Sequence, residues 1–130
     1  MAPANRQTDE MSTTTLYGIP NCDTVRKARA WLHEHAHDNP HLAQFHDFKK
    51  LGVPADRLDA WTAALGWERM LNRNGTTWRK LGEGARAAVV DARSAKALMR
   101  SQPSVIKRPV VEWGDGTITV GFSEADWAGR

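Results

Sequence analysis

The chain is poor in cysteine: Cys22 stands alone among 130 residues. An internal disulfide is therefore excluded, and with it the disulfide-stapled class of small secreted domains. Long apolar runs are also missing, so no stretch reads as a membrane-spanning helix. The opening residues MAPANRQTDEMS contain no apolar middle of the kind a secretory signal needs, and they read as a disordered leader over 1–12. Charge of one sign is scarce as well. Eighteen Lys and Arg stand against fifteen Asp and Glu, a net charge of +3, and the charges are interspersed. A polyanion binder concentrates its cations in a stripe, so nucleic acid is not expected as a partner. These absences leave the cytoplasm as the expected compartment, with no membrane association.

Hydrophobic residues make up 41% of the sequence and charged ones 25%, the balance of an ordinary globular chain long enough for one domain with its own core. The segment TTTLYGIP is β-branched and aromatic and closes on Gly18 and Pro20, which predicts a strand over 13–17 followed by a loop. From Asp23 to about His35, Val25, Ala28, Arg29 and Leu32 recur at helical spacing. After the break DNPH, residues 42–47 alternate in the manner of a second strand. Pro54 and Gly66 bracket a helix carrying Leu58, Trp61 and Leu65. Residues 67–102 read as short helical pieces split by NRNGTT and GEG, with SAKALMRSQ the clearest. Asp115-Gly116 then joins predicted strands 109–113 and 117–121, and SEADW opens a last helix on a Ser cap. The order β-α-β, helices, β-β-α predicts a mixed sheet with helices packed on it.

Cys22 falls in the turn between the first strand and the first helix. Backbone N–H groups at a helix start have no intrahelical partner, and the dipole end is positive, so an anion there is stabilised. Arg26 lies one turn further along. A free thiol titrates near ~8.5, and such surroundings bring it down to ~3.5–7.5. Asn21, Asp23 and Thr24 are placed to aim N–H groups at a bound oxyanion. The charge of Asp23 acts the other way and raises the thiol. Free cysteines are also frequently buried and inert, and local chemistry leaves both readings open.

Other features read plainly. HEHAHDNPH gathers His33, His35, His37 and His41, with His33 and His37 one turn apart; no paired Cys or acid completes a metal motif, and a solvated helix end is the better reading. The six tryptophans are dispersed, and Trp31 and Trp61 sit on helical apolar stripes. Lys49-Lys50 and Arg79-Lys80 read as solvated faces.

LYGIPNCDTVRKARAWL resembles the active-site segment of the arsenate reductase C/Spx family, with Tyr17, Pro20, Cys22, Thr24 and Arg26 at matching positions. The likeness continues through GTTWRKL and reaches IKRPVVEWGDGTITVGFSEADW, where Arg108-Pro109 matches the family's Arg-Pro pair; it spans roughly residues 14–127. The resemblance implies an α/β fold: a thioredoxin-like mixed four-stranded sheet flanked by helices. It implies one domain over 13–130, with a helical insertion at about 50–102. It implies that Cys22 is the catalytic nucleophile, that Pro109 is cis beside it, and that Arg108 faces the bound oxyanion or thiol ligand. Asn21, Thr24, Arg26 and Arg73 join them as substrate- or glutathione-binding positions.

The departures from the family pattern narrow the reading. Arsenate reductases of the family hold arsenate with an arginine in the segment matching LNRN, where this chain has Asn72 and carries Arg73 one place later. One place turns a helical side chain by about 100°. A further arginine follows the hairpin, where this chain reads Gly121-Phe122-Ser123, and a first-loop histidine is replaced by Gly18. Losing bidentate arginine forks weakens oxyanion binding. Redox-switch members of the Spx branch use Cys-x-x-Cys, and the second position here is Val25. The chain looks most like a single-cysteine IPNCDT branch linked to glutathione. The expected function is a thiol-dependent reductase with glutathione or glutaredoxin as donor, acting on a small oxyanion or a mixed disulfide. Glutathione enters as co-substrate, with no permanently bound cofactor and no metal. The alternatives are an Spx-like partner of the transcription machinery without catalysis, and a true glutaredoxin-dependent arsenate reductase.

Overall fold

The computed structural model describes residues 13–35 and 44–128. The leader 1–12, His37, His41 and the start of the expected second strand lie outside the described residues. The chain divides into two compact units, one of Met1–Asp47 with Arg108–Arg130, the other of Phe48–Lys107.

The first unit holds the sheet. Strand β1 (Thr15–Gly18) leads through a loop to helix α1 (Asp23–Glu34) and then strand β2 (Gln44–Asp47). Strands β3 (Val110–Glu112) and β4 (Ile118–Val120) form the late hairpin, and a short C-terminal helix covers Glu124–Trp127. The strand order is β2-β1-β3-β4, with β1 parallel to β2 and antiparallel to β3. This is the mixed four-stranded α/β sheet that the sequence predicts. The parallel pair needs a crossover, and α1 supplies it. Register follows the pleat. Leu16 stands opposite both Phe45 and Val111, and Tyr17 opposite both His46 and Val110, so the two sets occupy opposite faces.

Helix α1 buries Val25, Ala28 and Leu32, the i, i+3, i+7 stripe of its sequence, against Leu16, Val111, Trp113 and Trp127. Truncating a buried leucine such as Leu32 to Ala costs about 2–5 kcal/mol in a core of this kind. Trp127 closes the cluster with three edge-on contacts: Trp31 at 5.4 Å, Trp113 at 4.8 Å and Phe122 at 4.7 Å between ring centroids. The Ser123 hydroxyl accepts from the Asp126 N–H at 3.3 Å and caps the last helix, as SEADW predicts. Gly116, at φ +93°, takes the left-handed position of the hairpin turn. At the far end of α1, His35 stacks on Trp31 at 3.9 Å, and its Nδ1 lies 2.8 Å from the Trp31 carbonyl oxygen.

The second unit is helical: α2 (Phe48–Leu51), α3 (Ala55–Leu65), α4 (Trp67–Met70), α5 (Thr76–Lys80), α6 (Glu83–Ala87) and α7 (Ala92–Ser101), then a 3₁₀ turn over Pro103–Val105. Leu58, Trp61, Met70, Ala95, Met99 and Val105 are among its buried side chains. GEG, predicted as a break, instead starts a helix: Gly82 is the N-cap of α6 and Glu83-Gly84 lie inside it. NRNG does form a turn, and α5 begins directly after it. Asp91 and Ser94 start α7 with a reciprocal capping box. Among the described residues, no helix is long and apolar enough to cross a membrane.

Candidate active site

The loop between β1 and α1 is fixed at both ends. Ile19 is buried and its carbonyl accepts the Cys22 N–H at 3.2 Å, while Pro20 and Asn21 project into solvent. Cys22 is the N-cap of α1, with extended backbone (φ −92°, ψ 127°) and a carbonyl that accepts the Arg26 N–H at 2.9 Å. Its side chain is half-buried. A side chain at the N-cap faces the second and third N–H groups of the helix, here those of Thr24 and Val25. The Cys22 side chain makes no capping hydrogen bond in the structure, and the positive end of the helix favours its charged form.

Burial pushes the Cys22 thiol up. Against it act the Val25 N–H, then the Arg108 guanidinium as hydrogen-bond donor and as positive charge, then the Thr24 N–H. Together they prevail, and the thiol is held below its ordinary value. Arg108 reaches Cys22 from the segment leading into β3, immediately before a buried Pro109 whose peptide bond is cis. The Pro109 carbonyl accepts the Gly121 N–H at 2.9 Å, which ties that segment to the end of β4. Cys22, Arg108 and Pro109 thus belong to one unit, presented by the central strands and the start of α1.

The cation nearest in sequence behaves differently. One guanidinium nitrogen of Arg26 donates to the Asn21 carbonyl at 3.0 Å and the other lies 3.4 Å from the Asp23 carboxylate. Arg26 therefore braces the cysteine loop, and Asp23, which the sequence sets against the thiol, is answered by it. Sequence reasoning named the N–H groups of Asn21, Asp23 and Thr24, whereas the donors acting on the sulfur are Val25 and Thr24. The rule that an N-cap side chain faces the second and third helical N–H groups contained that signal.

Arg73 lies in the helical unit, its guanidinium 5.9 Å from the Trp67 ring centroid and 6.0 Å from that of Trp78. Asn72 knits the same unit together: its N–H donates to the Val105 carbonyl at 2.8 Å and its carbonyl accepts from Gly75 at 3.2 Å. Phe122 and Ser123, which stand where the arsenate reductases of the resemblance carry an arginine, belong to the Trp127 cluster and to the last helix cap. On the sheet face away from α1, the Tyr17 hydroxyl donates to Glu112 at 2.7 Å and its ring lies 5.0 Å from that of His46. Among the described residues, no group of three His, Cys, Asp or Glu side chains is placed to hold a metal ion.

Comparison with known proteins agrees with this geometry. A model of the ArsC family matches residues 17–129. The solved structure of the YFFB protein superposes with a TM-score of 0.80 at 47% identity, covering 90% of this chain and 97% of that one. An arsenate reductase (ArsC) related protein from Brucella melitensis superposes with a TM-score of 0.68 at 48% identity, covering 91% and 93%. The global transcriptional regulator Spx of Staphylococcus epidermidis is 24% identical over 110 residues, 85% of this chain and 80% of that protein.

Proposed function

The chain belongs to the ArsC family, and on that premise we propose that it is a single-cysteine thiol reductase drawing its electrons from glutathione or glutaredoxin. The observation that carries the reading is Cys22 at the N-cap of α1, with the Val25 N–H and the Arg108 guanidinium holding its thiol below the ordinary value. The thiolate is the nucleophile of disulfide exchange, and a lowered thiol supplies it at neutral pH.

The reaction runs in two exchanges. The Cys22 thiolate attacks the glutathione sulfur of a mixed disulfide X–S–S–G. The X–S bond partner leaves as X–S⁻, and Cys22–S–S–G forms. A second glutathione, or a glutaredoxin thiolate, then attacks the glutathione sulfur of that adduct, forms the new disulfide and releases Cys22 as thiolate. The chain has no second cysteine to resolve the adduct, so an external thiol must close the cycle. Arg108 holds the thiolate and the anionic portion of the ligand; Asn21, Thr24 and Arg26 shape the loop on which that ligand rests.

Arsenate is the weaker substrate reading. Of the places where arsenate reductases of the resemblance carry arginines, one is Asn72 here and another falls in Gly121-Phe122-Ser123; the Asn72 main chain bonds Val105 and Gly75, and the Phe122 ring packs on Trp127. The likeness to Spx favours an interaction role as second reading, and Val25, fully buried in the sheet unit's core, removes the second thiol of a redox switch. Recovery of RNA polymerase subunits by both the wild type and Cys22→Ser would favour that role.

The test is turnover of the mixed disulfide of glutathione with 2-mercaptoethanol, followed by NADPH consumption through glutathione reductase. The wild type turns over and forms a glutathione adduct visible by intact mass. Cys22→Ser does neither, and full activity in that variant overturns the proposal.

A further inference from the structure

A groove of about 470 Å³ runs between α1 and β2, floored by Leu16, Leu32 and Phe45 and walled by Arg26, Arg29 and His33. Its size falls within the range of specific ligand sites. Among the described residues, no carboxylate lines it. The Arg29 guanidinium carbon lies over the Phe45 ring, 4.1 Å from the centroid, a cation–π contact that holds the side chain at the groove. No ion pair answers Arg29 among the described residues, whereas Arg26 carries Asp23 at 3.4 Å.

The backbone beside the groove is equally open. β2 is the outer strand of the sheet, paired only to β1 among the described residues. The Gln44 N–H is spent inward on the Thr14 carbonyl at 2.8 Å. Alternation along a parallel ladder then turns the Phe45 N–H and carbonyl away from β1. An added strand would bond to Phe45, and its alternate side chains would project onto the α1 face, where Phe45 and Arg29 stand. The three basic positions of α1 that line the groove, Arg26, Arg29 and His33, extend over seven residue steps, about 10.5 Å along the helix, and alternate residues of an extended chain repeat at about 6.7 Å. Two acidic side chains of one strand therefore fall within reach of the row.

We propose that the α1–β2 groove is a docking site for an extended acidic peptide segment of a protein partner, which adds to the β2 edge and places alternate carboxylates on Arg29 and its neighbours. The groove meets the cysteine loop through Arg26, which bonds the Asn21 carbonyl. A docked segment thus ends beside Cys22 without needing its chemistry. Strand addition supplies main-chain affinity, and the cationic wall supplies the preference for acid.

The experiment uses the full chain carrying Cys22→Ser, so that binding is read apart from redox chemistry. The probe is fluorescein-Gly-Glu-Thr-Glu-Val-Glu-Gly, with the same peptide carrying Lys for Glu as control. Saturable anisotropy with the acidic peptide, none with the Lys peptide, and affinity about tenfold weaker in Arg29→Glu support the proposal. Arg29→Gln, which removes only the charge, weakens binding in the same direction. Hydrogen exchange at the Phe45 amide slows on binding. Equal binding of both peptides, unchanged binding in Arg29→Glu, or unchanged exchange at Phe45 overturns it. Equal competition by free N-acetylglutamate also overturns it, in favour of a small-carboxylate site. Loss of disulfide turnover in the wild type with peptide binding intact would reject the proposed reaction and leave the docking surface standing.

Discussion

Gly18 and Val25 are in closest approach where β1 ends and α1 begins: a β-carbon on Gly18 falls 2.8 Å from the Val25 Cγ2 atom. Val25 is fully buried, so it has little room to withdraw. Gly18→Ala therefore destabilises the sheet unit by about 1–3 kcal/mol, the cost of overpacking a filled core. Val25→Ala in the same chain recovers part of that loss, and urea denaturation of the two single variants and the double variant measures the coupling. Additive losses would show that the contact is relieved elsewhere. Any larger side chain at Gly18, histidine included, would meet the same contact.

Arg108 acts on the Cys22 thiolate as donor and as charge. Arg108→Met removes both while keeping much of the stem, so the thiol rises toward its ordinary value. The pH at which iodoacetamide alkylation reaches half its maximal rate moves up relative to the wild type, and Arg108→Lys moves it less. The wild-type midpoint lies below that of N-acetylcysteine. An unchanged midpoint in Arg108→Met would assign the lowering to the Val25 and Thr24 N–H groups alone. Arg26→Met is the informative control, because its guanidinium is committed to Asn21 and Asp23. It shifts the midpoint less than Arg108→Met does.

Much of this site was legible along the chain, and the part that was not has a physical cause. Pro20, Asn21 and the Val25–Ala28–Leu32 stripe place Cys22 at a helix start from local pattern alone. The identity of its cation does not follow from local pattern. Arg26 is near in sequence, but its guanidinium bonds the Asn21 carbonyl and pairs with Asp23. Arg108 arrives through the β1–β3 pairing, a long-range contact that only the family resemblance indicated. The helical unit shows the same limit. GEG reads as a break because glycine weakens a helix by about 1 kcal/mol, yet five residues fold as α6 once Gly82 caps it.

The lowered thiol also links folding to pH. A group depressed in the folded state adds stability that is complete above its unfolded value, near ~8.5 for cysteine, and that is lost as pH falls through the folded value. The wild type therefore gains stability over Cys22→Ser as pH rises from the folded midpoint toward the unfolded one. Parallel urea titrations of the two proteins at pH 6 and pH 9 check it. A stability difference that stays flat or shrinks with rising pH would contradict a stabilised thiolate, whatever the alkylation rates show.

Phe122 decides how far the arsenate reading can be rebuilt. It stands in the stretch where arsenate-binding relatives carry an arginine, but its ring meets Trp127 edge-on at 4.7 Å within the core cluster. Phe122→Arg puts a guanidinium against that cluster and forfeits an aromatic pair worth about 0.5–1.5 kcal/mol beyond its buried area. The variant is less stable and gains no arsenate turnover with glutaredoxin present. Phe122→Leu, which keeps an apolar side chain, loses less stability and leaves disulfide turnover intact. Thermal melts and the two turnover assays on the three proteins test this. Arsenate reduction appearing in Phe122→Arg would mean that the missing arginine alone separates this chain from the arsenate reductases, and that the Trp127 cluster tolerates its replacement.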